Sequence, residues 1–252
     1  MRPEDGAVWL TGASQGIGRA VALELAGRGY RVAASARGRD GLDALIAETP
    51  ARGEIRGYPV DVTDAEGMRT CAQRIVEEMG PLGGAILNAG THKPIGAGDF
   101  ERDAVMHLFE VNVGGVVNGI QAVLPDLMAR KGGTLAIVSS VAGYRGLPTA
   151  VGYGASKAAL INMAESLKLE LDPHGVRVCL INPGFVRTPL TDRNPFPMPF
   201  LMEADAAARR VADGLAGRAF EITFPRRFTW LLKLGRILPY RLYFALAGRA
   251  RP

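Results

Sequence analysis

Ala7-Val-Trp-Leu-Thr-Gly-Ala-Ser-Gln-Gly-Ile-Gly18, continued by Arg19-Ala-Val-Ala-Leu-Glu-Leu-Ala26, decides the architecture. Residues 7–10 are an apolar run short enough for a buried strand, and Ala20, Val21, Leu23, Leu25 and Ala26 then recur as an apolar-periodic helix. Between them Gly12, Gly16 and Gly18 permit a tight turn, with Ser14, Gln15 and Ile17 completing a loop whose backbone N–H groups can approach a pyrophosphate at a helix start. The spacing differs from the common G-x-G-x-x-G pattern. No Lys-Ser or Lys-Thr pair succeeds it, which argues against a nucleoside triphosphatase loop.

Outward from this unit the alternation continues. Residues 31–35, 55–60, 84–87, 133–139 and 176–181 read as strands, with helices near 42–48, 65–79, 101–130 and 152–171. Short apolar strands joined by long connections suit right-handed parallel crossovers. No repeat or low-complexity linker divides the chain. The expected fold is therefore α/β: a single-domain Rossmann fold over residues 1–225, a doubly wound parallel sheet with helices on both faces. Residues 189–200 hold four prolines and cannot form a regular helix, so they read as a loop able to cover an apolar ligand.

Composition excludes several classes. With 252 residues, 48% hydrophobic and 22% charged, the chain is neither disordered nor embedded in lipid throughout. Two cysteines, Cys71 and Cys179, rule out a four-cysteine zinc site and suit a reducing compartment. His92, His107 and His174 lack a metal-ligand pattern and read as surface or helix-terminal residues, so no metal is expected. The N-terminus lacks the hydrophobic region of a secretory signal, which points to the cytoplasm.

Several residues then fall at ligand-facing positions of such a sheet. After the second strand stands Arg37, where an acidic residue would meet ribose hydroxyls; its guanidinium suits a 2′-phosphate, with Ser14 and Arg39 able to assist. This favours NADP(H) over NAD(H). Asp61 and Val62 come after the third strand, at a position suited to an adenine, and Asn88-Ala89-Gly90 after the fourth, where small residues allow close passage of a ribose. Tyr153 and Lys157 lie four apart on one helix face. An ammonium near the phenol, with a positive cofactor ring, favours the phenolate and so proton exchange with a substrate oxygen. Ser140 leaves the fifth strand beside them, and Asn112 could hold a water linking Lys157 to solvent.

Taken in order, Thr11-Gly-Ala-Ser-Gln-Gly-Ile-Gly18, Asn88-Ala-Gly90, Asn112, Ser139-Ser140, Tyr153-Gly-Ala-Ser-Lys157 and Asn182-Pro-Gly184 with Thr188 resemble the motifs of the classical short-chain dehydrogenase/reductase (SDR) family over roughly residues 7–224. The resemblance implies a one-domain enzyme that moves hydride between nicotinamide and a carbonyl or alcohol. It implies Tyr153 as acid/base, Lys157 as its modulator and a ribose ligand, Ser140 as the substrate-oxygen ligand with Ser139 as the register alternative, and Asn112 as proton relay. Pro183, Gly184, Val186 and Thr188 resemble the turn that shapes the nicotinamide pocket. A homodimer or homotetramer is the family expectation.

The resemblance ends with the chain's last segment. After a last strand near 219–224, residues 226–252 carry seven Lys or Arg and no acidic residue, accounting for more than the net charge of +5. Pro239 should divide this basic, apolar segment into two short helices, too short to span a bilayer. Three roles stay open: a cap on the substrate pocket, a subunit interface, or peripheral contact with an anionic membrane. Phe196, Met198 and Phe200 suggest a hydrophobic ketone, aldehyde or secondary alcohol as substrate. The alternative to an NADP(H)-dependent oxidoreductase is a noncatalytic dinucleotide sensor or scaffold. Nucleic acid is not expected as a partner, since the basic tail carries no recognised reading motif.

Overall fold

Along β1 (Ala7–Thr11), Val8 and Leu10 join the apolar layer on one side of the sheet while Ala7 and Trp9 join the other, and all four are fully buried. A strand covered on both faces requires this. The computed structural model describes residues 1–193 and 198–248. It gathers β1 with β2 (Arg31–Ala36), β3 (Glu54–Pro59), β4 (Leu82–Leu87), β5 (Thr134–Val138), β6 (Arg177–Pro183) and β7 (Glu221–Phe224) in one sheet. All pairings are parallel and the order is β3-β2-β1-β4-β5-β6-β7. The order reverses between β1 and β4, so a crevice opens at the carboxyl ends of those strands.

Helices cover both faces, as the sequence predicts. On one side α1 (Gly16–Gly27), α2 (Arg39–Ala47) and α7 (Ala204–Ala216) bury Val21, Leu25, Leu42, Leu45, Val211 and Leu215. On the other, α3 (Ala65–Met79), α5 (Gly115–Ala129) and α6 (Val151–Leu171) bury Met68, Ile75, Val123, Leu127, Leu160 and Ile161. The sequence pattern does not announce α7. Three of its five buried positions are alanines, Ala207, Ala208 and Ala212, which give a weak periodic signal.

Two further departures matter. The helical stretch expected over 101–130 is α4 (Arg102–Phe109) and then α5, joined by a π-helical turn at Glu110–Gly114 that carries Asn112 into the interior with no exposure. In the 189–200 loop only a short 3-10 turn at Thr191–Arg193 is regular among the described residues, and Phe196 lies outside them. The C-terminal segment forms α8 (Arg226–Ile237) and α9 (Tyr240–Ala247), separated at Leu238 and Pro239 as a proline break predicts. Among the described residues no helix is long and apolar enough to cross a membrane.

Candidate active site

The glycine turn is built by close approaches that only glycine permits. Gly12 has φ +69°, and a Cβ there would stand 2.7 Å from the Ala89 Cα; a Cβ on Gly18 would stand 2.2 Å from the Gly12 carbonyl oxygen. Gly16, with φ +58°, lies against the Thr188 methyl group. The start of α1 has Gln15 as its N-cap with no side-chain hydrogen bond to it, so the first N–H groups of a twelve-residue helix face the crevice uncapped by their own cap residue. Asn88 secures the turn. Its Nδ2 donates to the Thr11 and Gly12 carbonyls at 3.0 and 3.1 Å, while the Asn88 and Ala89 N–H groups donate to Thr11 Oγ1. Both amide hydrogens of Asn88 are thus used in shaping the turn.

At the end of β2, Arg37 is exposed and, among the described residues, forms no ion pair with a carboxylate. Ser14 lies against the start of α2, its Cβ 2.8 Å from the place a Gly41 Cβ would occupy. Asp61 accepts from the Thr63 N–H and hydroxyl at 2.9 and 2.8 Å. Those bonds, the backbone one foremost, hold its carboxyl below the ordinary value, with Arg37 contributing, so a charged acceptor persists at this edge. Val62 is buried and its carbonyl accepts from Asn118 Nδ2 at 2.8 Å.

Tyr153 and Lys157 rise from the first turns of α6. Lys157 is almost fully buried, donates from Nζ to the Val138 carbonyl at 3.0 Å, and stands 5.8 Å from the centre of the Tyr153 ring. Loss of hydration pulls its ammonium down to about 8. Burial pushes the Tyr153 phenol above its ordinary value, and a hydrogen bond with Ser140 opposes the rise. The sequence-based expectation of a phenolate counts on a positive cofactor ring as well as the ammonium; without that ring, burial is the larger influence on the phenol.

The two serines have different partners. Ser139 Oγ donates to the Lys157 carbonyl at 2.7 Å and fixes α6 on β5, whereas Ser140 Oγ accepts the Ala142 N–H at 3.1 Å and donates to the Pro183 carbonyl at 3.4 Å. Asn112 accepts the Thr91 N–H at 2.7 Å and donates to the Thr91 carbonyl and Ser156 Oγ. One lone pair of its Oδ1 is left. A Cβ placed on Gly90 would stand 3.2 Å from that oxygen and 3.5 Å from Lys157 Nζ, so the absent side chain leaves both atoms facing one small space.

The far wall comes from β6 and the turn at its carboxyl end. Gly184 of the Asn182-Pro183-Gly184 turn donates to the Phe224 carbonyl at 2.7 Å, and a Cβ there would meet Phe228 of α8 at 3.2 Å. Val186 is buried, and Thr188 shares its hydroxyl with Thr191 at 3.2 Å. Phe228 stacks on Phe185 at 5.6 Å and lies 5.9 Å from Phe200, giving an aromatic wall.

His92 is the residue the sequence pattern misplaces. Expected at the surface or a helix end, it is half-buried with its ring edge-on to Tyr153 at 4.5 Å. No local pattern announces this, because the loop after β4 and α6 meet only in the fold. The histidines otherwise form no cluster: among the described residues no three His, Cys, Asp or Glu are placed to hold a metal. The uncapped helix start, the glycine approaches and the paired Lys157 and Asn112 atoms fit a nicotinamide dinucleotide.

Known proteins resemble this chain in sequence and fold. Residues 6–195 match the short chain dehydrogenase family. An uncharacterised oxidoreductase of Myxococcus xanthus is 40% identical over 96% of both chains. The 3-oxoacyl-(acyl-carrier-protein) reductase of Thermotoga maritima is 33% identical over 77% of this chain and 80% of that one. A Burkholderia cenocepacia short chain dehydrogenase solved in complex with NADP superposes with a TM-score of 0.85, at 26% identity over 98% and 99% of the two chains. With its parallel sheet and glycine turn, the chain belongs to the short-chain dehydrogenase/reductase family of nucleotide-binding oxidoreductases.

Proposed function

We propose that this protein is an NADP(H)-dependent carbonyl reductase, acting on a hydrophobic ketone or aldehyde and, in reverse, on the secondary or primary alcohol. The observation that carries the reading is the convergence of Ser140, Tyr153 and Lys157 beside the glycine turn, with Arg37 at the open end of β2. Arg37 and Ser14 would hold a 2′-phosphate, Asp61 and Val62 the adenine, Asn88, Ala89 and Gly90 the edge of a ribose, and Pro183, Gly184, Val186 and Thr188 the ring end. A nicotinamide held there supplies or accepts the hydride.

The chain's own residues manage the oxygen. Ser140 donates a hydrogen bond to the carbonyl oxygen and stabilises negative charge as it develops. Tyr153, which keeps its proton at neutral pH, gives that proton to the same oxygen as the carbonyl carbon is reduced. The phenolate left behind is stabilised by the Lys157 ammonium, and its proton is restored through Lys157 and a water at Asn112. In the oxidative direction Tyr153 accepts the alcohol proton instead. Phe185, Phe200 and Phe228 present an apolar surface to the substrate. The 3-oxoacyl reductase of T. maritima reduces a carbonyl by its name, which agrees with this class. The enzyme is expected to act as a homodimer or homotetramer.

The test couples binding to turnover. The protein should bind NADPH more tightly than NADH in a fluorescence titration and oxidise NADPH with apolar ketones. Tyr153→Phe should lower kcat by about 10²–10⁴-fold while leaving the NADPH Kd within about threefold. Binding without turnover across ketones, aldehydes and alcohols would return the protein to a sensor or scaffold role.

A further inference from the structure

The last two helices leave a one-sided surface that the catalytic reading does not use. Their inner side is fixed to the body. Thr229 and Tyr243 are buried, Lys233 pairs with Glu221, Tyr243 donates to the Gly146 carbonyl, and Arg145 donates to the carbonyls of Gly235 and Leu238 while lying 4.0 Å from the centre of the Tyr243 ring. With the inner side so held, the outer side is also determined. It presents Trp230, Leu231, Leu234, Ile237, Tyr240 and Phe244, with Trp230 70% and Ile237 78% exposed. In α8 these residues fall at helical spacings of one, four and seven, and the stripe continues into α9.

Charge selects the occupant. Beyond Glu221 the sequence has no acidic residue, and Arg226, Arg227, Arg236 and Arg241 stand exposed around the apolar stripe. Among the described residues none of these four is ion-paired, whereas Lys233 is held by Glu221. A twofold contact between copies would set this patch against itself and bring these arginines together without a counter-charge from the same face. An anionic lipid surface supplies both complements: phosphates for the arginines and an acyl boundary for Trp, Leu, Ile and Phe, with Tyr240 and Trp230 suited to the interface.

We propose that α8 and α9 dock this protein on an anionic bilayer, lying in the interface without crossing it. Phe228, on the inner side of α8, forms part of the aromatic wall beside the Gly184 turn. The docked face and the substrate wall are therefore two sides of one helix, and an apolar substrate dissolved in the lipid reaches the crevice from the membrane side. That last consequence rests on the proposed reductase activity; the docking does not.

The chain carries its own reporter. It has two tryptophans, Trp9 fully buried in the sheet and Trp230 on the proposed face. Full-length protein without cofactor is titrated with vesicles of phosphatidylcholine, with and without added phosphatidylglycerol, while emission is monitored. The expected result is a blue shift with anionic vesicles, at least tenfold tighter binding than to neutral ones, and weakening by salt. Ile237→Glu with Phe244→Glu should weaken binding at least tenfold with the circular dichroism spectrum unchanged. Trp230→Phe should abolish the shift while vesicle sedimentation persists. Equal binding to neutral and anionic vesicles, or none, overturns the proposal. So does a blue shift that grows with protein concentration in the absence of lipid, which would assign the face to a second copy. These readouts need no turnover, so failure of the reductase reading leaves them intact.

Discussion

Replacing Lys157 by Met should make the cofactor-free protein more stable, relative to wild type, near neutral pH than at alkaline pH. The Lys157 ammonium is almost fully buried, bonded to the Val138 carbonyl, and pulled from 10.5 to about 8 by lost hydration. That fall corresponds to about 3 kcal/mol of unfavourable free energy in the folded state wherever both states are protonated. Below pH 8 the whole penalty is present. Between the folded value near 8 and the unfolded value near 10.5 the unfolded chain binds more protons, so wild-type stability rises with pH and the penalty is relieved. From about pH 7 to about pH 9.5 the relief amounts to about 2 kcal/mol, or roughly 4–8 °C in Tm for a chain of this size. Met keeps an apolar stem but strips the Val138 carbonyl of its partner, a cost that is constant with pH. The decisive quantity is therefore the difference between variant and wild type, measured by urea unfolding at both pH values. Taking the difference also cancels Cys71 and Cys179, whose thiols burial raises and which otherwise lower stability above pH 9. The variant's relative stability should fall by about 2 kcal/mol over this range. A difference constant to within about half a kcal/mol would refute the argument that Lys157 sits as a desolvated cation.

Other consequences can be checked singly. Arg37→Leu should weaken NADPH binding by roughly 10- to 100-fold, the contribution of a charge-assisted hydrogen bond, and leave NADH within about threefold in calorimetric titration; equal losses would sink the phosphate assignment. His92→Ala should lower kcat several-fold by removing the ring edge against Tyr153, and His92→Phe should restore most of it, since an aromatic edge rather than a specific nitrogen is invoked. In Glu221, burial opposes ionisation but the bonds from Lys233, Tyr144 and Asn182 outweigh it, holding the carboxyl below 4.5. The stability it lends is full above that pH and lost as pH falls through the lowered folded value; Glu221→Gln should cost about 1–3 kcal/mol at pH 7 and lack this acid limb in urea unfolding.

Much of the candidate site is legible in the sequence because its signals are local. A strand of five residues, a turn that must be glycine and a helix with periodic apolar positions leave a pattern in consecutive residues, and the Tyr153 and Lys157 pair needs only the pitch of one helix. The hidden features depend on distant segments meeting. Asn88 spends both amide hydrogens on carbonyls 76 and 77 residues earlier. The π-helical turn that buries Asn112 adds a residue to a pattern otherwise read as one continuous helical stretch. α7 hides behind alanines, and His92 reaches Tyr153 through a loop with no repeating pattern at all. The direction of the Tyr153 shift is also beyond the sequence, because proximity of a cation can be read from spacing but burial cannot.

Contacts between distant segments also tie the C-terminal helices to the candidate site. Glu221 sits on β7 beside β6, and its carboxylate accepts from Tyr144 beyond Ser140, from Asn182 of the turn at 2.7 Å, and from Lys233 of α8. Three segments thus donate to one carboxylate. Two of them border the candidate site, the Ser140 segment and the Pro183-Gly184 turn, and the third carries the aromatic wall through Phe228. A displacement of α8 that kept the Lys233 pair would have to move Glu221, and with it the bonds from Tyr144 and Asn182. A half-buried carboxylate with three donors resists this because each donor removed leaves negative charge less compensated. The tail is therefore tied to the segments that carry the candidate site, although the family motifs end before it begins.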